Sequence, residues 1–217
     1  MCRRYKLKAT LKQLEQSFAA EAGEHVPEGG VFTPGKIVPV VLTSRRTSRR
    51  EIHPIRWGLI PNWTTEESQG AKSLYNARAE TLMDKPSFRD SFFHRRCLIP
   101  ATSFFEWQRE SKRSIEILPT DREIFAFAGI WDRWQSPEGK MIATCSMITT
   151  EAGAATSSVH HRMPALLDES SFNDWLDPDY PASLVQALLL PSEQMRIQDD
   201  TMPTSPGKTR EPELLLS

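Results

Sequence analysis

Residues 95–150 read RRCLIPATSFFEWQRESKRSIEILPTDREIFAFAGIWDRWQSPEGKMIATCSMITT, and this stretch decides the fold. It holds five short runs rich in β-branched and aromatic residues, each bounded by turn-forming residues, which is the pattern of successive β-strands. The runs cover residues 97–99, 103–108, 114–118, 124–131 and 141–149. The tetrapeptide SPEG at 136–139 separates the last two as a turn. Because short turns join antiparallel strands, the pattern favours a mostly antiparallel sheet or barrel.

The flanks of this stretch add helices and further strands. Thr10 as a cap and the shared face of Leu11, Leu14 and Phe18 predict a helix over residues 10–20. Further strands are predicted at residues 37–42, 52–59 and 214–216, and further helices at 86–95, 150–158, 170–176 and 182–190. No repeat and no long linker divides the chain. The predicted fold is therefore α+β: a single domain over residues 1–217, with a mostly antiparallel β-barrel-like core flanked by short helices.

The composition is that of an ordinary globular protein, with 39% hydrophobic and 25% charged residues in 217. No run approaches the roughly 20 apolar residues of a membrane span, and no apolar signal segment follows the basic start MCRRYKLKAT. Cys2, Cys97 and Cys145 are odd in number and widely spaced, which predicts no disulfide framework. Without a CxxC pair, structural zinc is not expected. We therefore expect a cytoplasmic protein that needs no metal ion or organic cofactor and does not associate with a membrane.

The formal net charge of -1 argues against a general nucleic-acid binder. The charge is unevenly spread, however, because basic residues gather in two places. These are Arg3, Arg4, Lys6 and Lys8, and then Arg45, Arg46, Arg49 and Arg50. A nearly neutral protein can still carry one basic groove, although such clusters can equally be solvated surface.

Cys2 gains unusual chemistry if Met1 is removed, because one residue then carries both an α-amine and a thiol. The amine, with an ordinary pKa near ~7.7–8.0, is partly neutral at pH 7 and can form a Schiff base with an aldehyde. The thiol can then close on the imine carbon to give a thiazolidine. Arg3 and Arg4 are expected to favour the thiolate. Alone, a cysteine at position 2 can also be an accident of sequence.

Glu106 and a histidine pair are the candidate acid–base groups. Strand alternation in FFEW (104–107) puts Glu106 on the face opposite Phe105 and Trp107, and a carboxyl among aromatic rings should have a raised pKa. His160 and His161 precede Arg162, and a histidine can act as acid or base near neutral pH. Each also has a simpler interpretation, as an edge glutamate with its head in water or a loop histidine that only forms hydrogen bonds.

Three further residues are candidates for binding rather than proton transfer. Asn76 can orient a carbonyl or a nucleophile without titrating, although it can also be a turn residue. Arg78 lies on the same face as Asn76 if the segment around them is an extended strand, and an arginine side chain is well suited to binding phosphate. Trp63 follows a Pro-Asn pair in a predicted loop, so it is the candidate platform for stacking a base.

Seven short segments keep a fixed order and spacing from the start of the chain to residue 164. They are MCRRY (1–5), WGLIP (57–61), NARAET (76–81), RCLIPA (96–101), FFEW (104–107), FAGIW (127–131) and HHRMP (160–164). Each is modest alone, but together they are specific. In this combination the chain resembles the SRAP family, the SOS response-associated peptidase proteins that crosslink to abasic DNA. The resemblance implies a single α+β domain around a β-barrel-like core.

The resemblance also implies a role for each matching residue. Cys2 corresponds to the N-terminal nucleophile, Asn76 to the asparagine that holds the cysteine terminus, and Glu106 to the acid–base carboxylate. His160 matches the first residue of the family's His-x-Arg-Met-Pro motif, so His161 falls on its variable position. The positions expected to contact DNA phosphates are Arg4, Arg78 and Arg162, with Arg3 as a further cation where the family has glycine.

The implied function is the capture of abasic sites in single-stranded DNA. A basic groove would hold the strand, and Cys2 would form a thiazolidine with the ring-opened sugar, shielding the lesion in the DNA damage response. Weak lyase activity is also implied, and we expect a cytoplasmic monomer that joins the nucleoid when it binds DNA. Two alternatives remain: a cysteine peptidase that at least removes its own Met1, and a non-catalytic single-strand binding module.

Overall fold

Fourteen β-strands and four α-helices form the part of the chain that the computed structural model describes, residues 1–65, 74–108 and 110–199. The strands are β1 (Arg4–Leu7), β2 (Ala20–Ala22), β3 (Gly30–Phe32), β4 (Ile37–Thr43), β5 (Arg50–Trp57), β6 (Asn76–Arg78), β7 (Arg96–Ala101), β8 (Ser103–Gln108), β9 (Arg113–Pro119), β10 (Phe125–Gln135), β11 (Met141–Glu151), β12 (Arg162–Pro164), β13 (Leu166–Leu167) and β14 (Met195–Asp199). The helices are α1 (Leu11–Phe18), α2 (Pro86–His94), α3 (Phe172–Leu176) and α4 (Ala182–Ala187), with 3₁₀ helices at Ala79–Thr81 and Glu169–Ser171.

Five strands close into a barrel. Around it, β11 pairs with β10, β10 with β7, β7 with β4 and β4 with β5, all antiparallel, and β5 returns to β11 in parallel. The two longest members, β10 and β11, have 11 residues each and are joined by the turn that the sequence predicted. The predicted α+β fold with a mostly antiparallel, barrel-like core is therefore confirmed.

A second, smaller sheet packs against the barrel and carries the start of the chain. Its order is β14-β9-β8-β1-β3, and β1 runs antiparallel to both of its neighbours. Tyr5 of β1 is fully buried between the sheets, with its ring 5.4 Å from that of Trp57 and 5.7 Å from that of Phe127. The core thus fixes β1, and with it Cys2, which lies two residues before the strand.

Two of the predicted helices form for the reasons that the sequence suggested. The Thr10 hydroxyl accepts a hydrogen bond from the Gln13 backbone N–H, and the Gln13 side-chain oxygen accepts one from the Thr10 backbone N–H. The helix α1 therefore begins with a capping box. Leu14 and Phe18 are buried on its inner face. Pro86 stands in the first turn of α2, where a missing N–H costs nothing.

One local prediction was wrong. Residues 150–158 do not form a helix: β11 continues to Glu151, and the residues beyond it form turns. The carboxylate of Glu193 accepts hydrogen bonds from the amides of Ala154 and Ala155, a contact from distant sequence that satisfies this turn without a helix. The predicted strand at 214–216 and most of the loop at 64–72 lie outside the described residues. In the part of the chain described here, no helix has the length and apolar character to cross a membrane.

Candidate active site

Cys2 lies two residues before β1, with its side chain completely buried. The thiol donates to the Arg4 carbonyl oxygen at 3.4 Å. Burial raises the pKa of this thiol far above its ordinary value, and the negative charge of Glu106 raises it further. The expectation that Arg3 and Arg4 favour the thiolate is therefore wrong for this state, because desolvation outweighs the other influences on the thiol.

Glu106 reaches the start of the chain from the strand next to β1. In the register of β8 with β1, Phe105 lies opposite Arg4, so Glu106 falls beside the residues that precede β1. Its side chain is 3% exposed, and Oε2 is 3.3 Å from the terminal amine of Met1. Burial raises the pKa of Glu106 to about 7, although the charge of that amine opposes the shift. The carboxyl can therefore take up or release a proton near neutral pH.

His160 contacts the same amine. It precedes β12, and its Nε2 lies 3.0 Å from the nitrogen of Met1. The other ring nitrogen, Nδ1, is 2.9 Å from the backbone nitrogen of Arg162 and 3.0 Å from its carbonyl oxygen. His161 is exposed and only stacks on the His160 ring, at 4.4 Å between centroids. Of the two histidines, His160 is therefore the one whose side chain contacts the N-terminus.

Asn76 holds the main chain of Cys2 directly. It is the first residue of β6, which pairs in parallel with β11 so that Asn76 lies opposite Met147. Its Nδ2 donates to the Cys2 carbonyl oxygen at 2.7 Å. The four residues predicted as catalytic, Cys2, Asn76, Glu106 and His160, thus come together although they are spread over 159 positions of sequence.

The residues predicted to bind DNA divide into a buried one and several at the surface. The Arg162 side chain is 8% exposed, and its guanidinium donates to both carboxylate oxygens of Glu80, at 2.8 and 3.0 Å. Arg4 lies over the Phe105 ring at 4.0 Å and donates to Ser114 at 2.7 Å. The surface members are Arg3, which lies over the Tyr75 ring, Arg78, and Trp63, which is 62% exposed.

Sequence reasoning missed Trp107 as a functional candidate. It directly follows Glu106 in β8 and is 46% exposed, which is unusual for a tryptophan inside a strand. Strand alternation had already put it with Phe105 on the face opposite Glu106, and that observation would have sufficed to find it. Its exposed indole lies on the face of β8 opposite Glu106 and can stack on a flat ring.

A cleft of about 1100 Å³ lies elsewhere on the molecule. Its lining includes Arg45, Arg46, Asp132 and Arg133 but none of the four clustered residues. On β11, the residue opposite Asp132 is Thr144, whereas the residue opposite Arg162 is Glu151. At about 3.4 Å per residue, Arg162 is separated from the cleft residue Asp132 by roughly 24 Å along the strand, and Asn76, opposite Met147, by roughly 10 Å. The buried chemistry around Cys2, rather than this cleft, therefore defines the candidate site.

The cluster around Cys2 contains a carboxyl, an imidazole, an amide and a thiol, which suit acid–base and nucleophilic chemistry. In residues 1–65, 74–108 and 110–199, no three histidine, cysteine or carboxylate side chains gather closely enough to hold a metal ion.

Comparison with known proteins identifies close relatives over the whole chain. The abasic site processing protein YoqW of Bacillus subtilis (strain 168) is 34% identical, with all of both chains covered. The abasic site processing protein HMCES of Rattus norvegicus is 33% identical over 60% of this chain, which corresponds to 46% of that protein.

Solved structures agree with this relationship. A crystal structure of a protein from Bacteroides thetaiotaomicron superposes with a TM-score of 0.84 at 29% identity, covering 91% of each chain. Another, from Bordetella bronchiseptica, gives a TM-score of 0.81 at 25% identity, covering 93% of this chain and 100% of that one. The sequence itself matches the SOS response associated peptidase (SRAP) description over residues 1–204. The chain therefore belongs to the SOS response associated peptidase (SRAP) family.

Proposed function

We propose that this protein captures abasic sites in single-stranded DNA by forming a covalent bond through Cys2 after loss of Met1. One observation carries the proposal: the terminal amine, which is that of Met1, lies 3.3 Å from Glu106 and 3.0 Å from His160, while Asn76 holds the Cys2 carbonyl. Loss of Met1 would make the adjacent Cys2 nitrogen the terminal amine beside the same two groups. A main-chain amine between two proton-transfer groups suits carbonyl chemistry. The names of the relatives YoqW and HMCES, both abasic site processing proteins, support the substrate.

The reaction conserves atoms and electrons without a cofactor. His160 assists opening of the sugar to its aldehyde, and the neutral α-amine of Cys2 attacks C1′ to give a carbinolamine. Glu106, with a pKa of about 7, transfers protons as water leaves and the C=N bond forms. The thiol S–H then adds across this bond: sulfur joins carbon, and the proton goes to nitrogen. The buried thiol forms its new bond inside the protein, which shields the adduct from water.

Single-stranded DNA would lie across the exposed basic groups beside the cluster, where Arg3 and Arg78 offer cations for phosphate. The exposed indoles of Trp107 and of Trp63, which follows the cleft-lining Asn62, would stack bases where the strand leaves the cluster. An abasic sugar can enter because no base fills the space. β-Elimination from the Schiff base would account for weak lyase activity, and the protein would act as a monomer in the cytoplasm.

A denaturing-gel assay tests the proposal. Protein whose loss of Met1 has been checked by intact mass is mixed with single-stranded DNA that carries one abasic site. We expect a covalent band that disappears in Cys2→Ala and persists in Cys97→Ala, a matched control at another buried cysteine. No band from protein with a free Cys2 terminus would refute covalent capture. Salt-dependent binding without a band would instead favour the non-catalytic binding module.

The same contacts favour removal of Met1 by the protein itself. Water, activated by the Glu106 carboxylate, would add to the Met1 carbonyl carbon, and the C–N bond to Cys2 would break as that nitrogen gains a proton. This observation supports a self-directed peptidase activity only. Cleavage of peptides supplied separately would instead support the general peptidase alternative.

A further inference from the structure

Arg162 joins the two chain segments that reach Cys2 from opposite sides of β11. β6, which begins with Asn76, pairs with Met147–Thr149, and β12, which begins with Arg162, pairs with residues 149–151. The Arg162 guanidinium crosses between them. It donates to both oxygens of Glu80 and, at 2.6 Å, to the carbonyl oxygen of Thr149 in the strand that both segments share.

The main chain of Arg162 fixes the histidine ring at the same time. Its backbone N–H lies 2.9 Å from Nδ1 of His160, so the ring is held at one nitrogen while the other faces the terminal amine. Glu80 lies in the 3₁₀ helix that directly follows β6. The ion pair therefore links the segment that carries His160 to the segment that carries Asn76.

The burial of the two partners indicates why this pair matters more for geometry than for stability. The Glu80 side chain is 47% exposed, and an ion pair with such a solvated partner contributes little to folding. A bidentate arginine–carboxylate contact nevertheless fixes the plane of the guanidinium. The pKa of Glu80 is lowered, chiefly by the hydrogen bond from Arg162, so the carboxylate is charged at neutral pH.

We propose that Glu80 is a positioning residue, which acts through Arg162 to hold His160 and Asn76 in register at the Cys2 terminus. This inference deepens the proposed capture reaction and rests on it for its kinetic test. It assigns the Arg162 guanidinium mainly to the brace between β6 and β12. Contact with a DNA phosphate is then the competing role that the experiment distinguishes.

The test compares Glu80→Ala with Glu151→Ala. Glu151 is an exposed glutamate in β11, opposite Arg162 in the register, so its loss removes the same charge nearby without removing the brace. The crosslinking rate is measured at saturating abasic DNA, and the dissociation constant is measured separately with undamaged single-stranded DNA. We expect Glu80→Ala to slow crosslinking by about 10- to 100-fold, since small misplacement of reacting groups costs this much. Its affinity for undamaged DNA should change less than about twofold.

A second variant guards against misfolding and tests the mechanism of action. If Glu80 works through Arg162, Arg162→Lys combined with Glu80→Ala should be scarcely slower than either change alone, because both break one connection. Equal rates for Glu80→Ala and Glu151→Ala would overturn the proposal. So would an Arg162→Lys variant that loses DNA affinity and salt dependence while Glu80→Ala retains the full rate, since that is the behaviour of a phosphate contact.

A spectroscopic readout separates this proposal from the proposed function. In protein labelled with ¹⁵N at histidine, the ring nitrogens of His160 report its hydrogen bonds without any reaction. We expect Glu80→Ala to shift these resonances and Glu151→Ala to leave them unchanged, even if the wild-type protein forms no crosslink. Unchanged His160 resonances in Glu80→Ala would contradict the brace whatever the protein does to DNA.

Discussion

The raised pKa of the Glu106 carboxyl depends on where the fold buries it, beside the start of the chain. An exposed glutamate is fully ionised at pH 6, whereas burial beside the start of the chain raises the pKa of Glu106 to about 7. The nearby terminal amine works against this shift, so desolvation is the larger effect. One residue can thus serve as a base above neutral pH and as an acid below it.

This pKa predicts the pH dependence of Met1 removal. Because the carboxylate is the form that activates water, the rate should rise with pH up to about 7 and level off above it. Protein that retains Met1, made by cell-free synthesis with an aminopeptidase inhibitor, is followed by intact mass between pH 5 and pH 9. Glu106→Gln should retain Met1 at every pH. A rate that is flat across this range in the wild type would contradict a role for Glu106 as the base.

The same shift has a consequence for folding stability. Between the ordinary carboxyl pKa and about 7, the folded protein holds a proton on Glu106 that the unfolded chain has released. The contribution of Glu106 to the free energy of unfolding is therefore greatest below this window and is lost as pH rises through it. Urea unfolding at pH 5 and pH 8 should show that Glu106→Gln lacks this component of the pH dependence.

Asn76 makes a hydrogen bond whose donor can be replaced by an acceptor through one substitution. Its Nδ2 donates to the Cys2 carbonyl at 2.7 Å, and Asn76→Asp would replace that donor with a charged acceptor. We expect crosslinking at saturating DNA to slow by at least about tenfold, because the cysteine terminus is no longer held. Asn62→Asp, an exposed position beside the remote cleft, is the control. Equal rates in the two variants would remove Asn76 from the mechanism.

At the scale of single elements, long apolar runs were predictable and short paired strands were not. β10 and β11 carry enough β-branched and aromatic residues to be recognised alone. β1 has only four residues, RYKL, two of them basic, and it is a strand because β3 and β8 pair with both of its edges. Such pairing is a property of the tertiary structure, which local patterns do not encode.

The catalytic candidates show the same limit in a different form. Motif resemblance was enough to select Cys2, Asn76, Glu106 and His160, and these four side chains meet in the structure. The state of the Cys2 thiol was not predictable, because nearby arginines in sequence say nothing about burial. The partner of Arg162 was also out of reach, since Glu80 lies 82 residues away.

The close packing of the barrel wall at Gly129 of β10 can be tested by substitution. A Cβ at this position would lie 2.9 Å from Sγ of Cys97 and 3.0 Å from Cδ1 of Ile99 in the neighbouring strand. We expect Gly129→Ala to destabilise the protein by about 1–3 kcal/mol, the usual cost of overpacking. Combining it with Cys97→Ala should restore part of this loss, because the closest clashing atom is gone. Urea unfolding of the two single variants and the double variant measures the coupling; strict additivity would contradict the packing argument.

At the scale of the whole molecule, a net charge of -1 means that DNA affinity must come from one face rather than from general attraction. The exposed Arg78 lies on β6 beside the Cys2 cluster, opposite Thr149, whereas Arg45 and Arg46 line the cleft together with Asp132, which lies opposite Thr144, roughly 17 Å away along β11. If the strand lies over the cluster, Arg78→Gln should weaken binding to undamaged single-stranded DNA. It should also reduce the slope of log K against log salt by about 0.7, the value for one lost phosphate contact.

The double variant Arg45→Gln and Arg46→Gln removes twice the charge and should leave both the affinity and the salt slope unchanged. The reverse result would move the DNA path to the cleft, and an abasic sugar bound there could reach Cys2 only if the strand wrapped around the barrel.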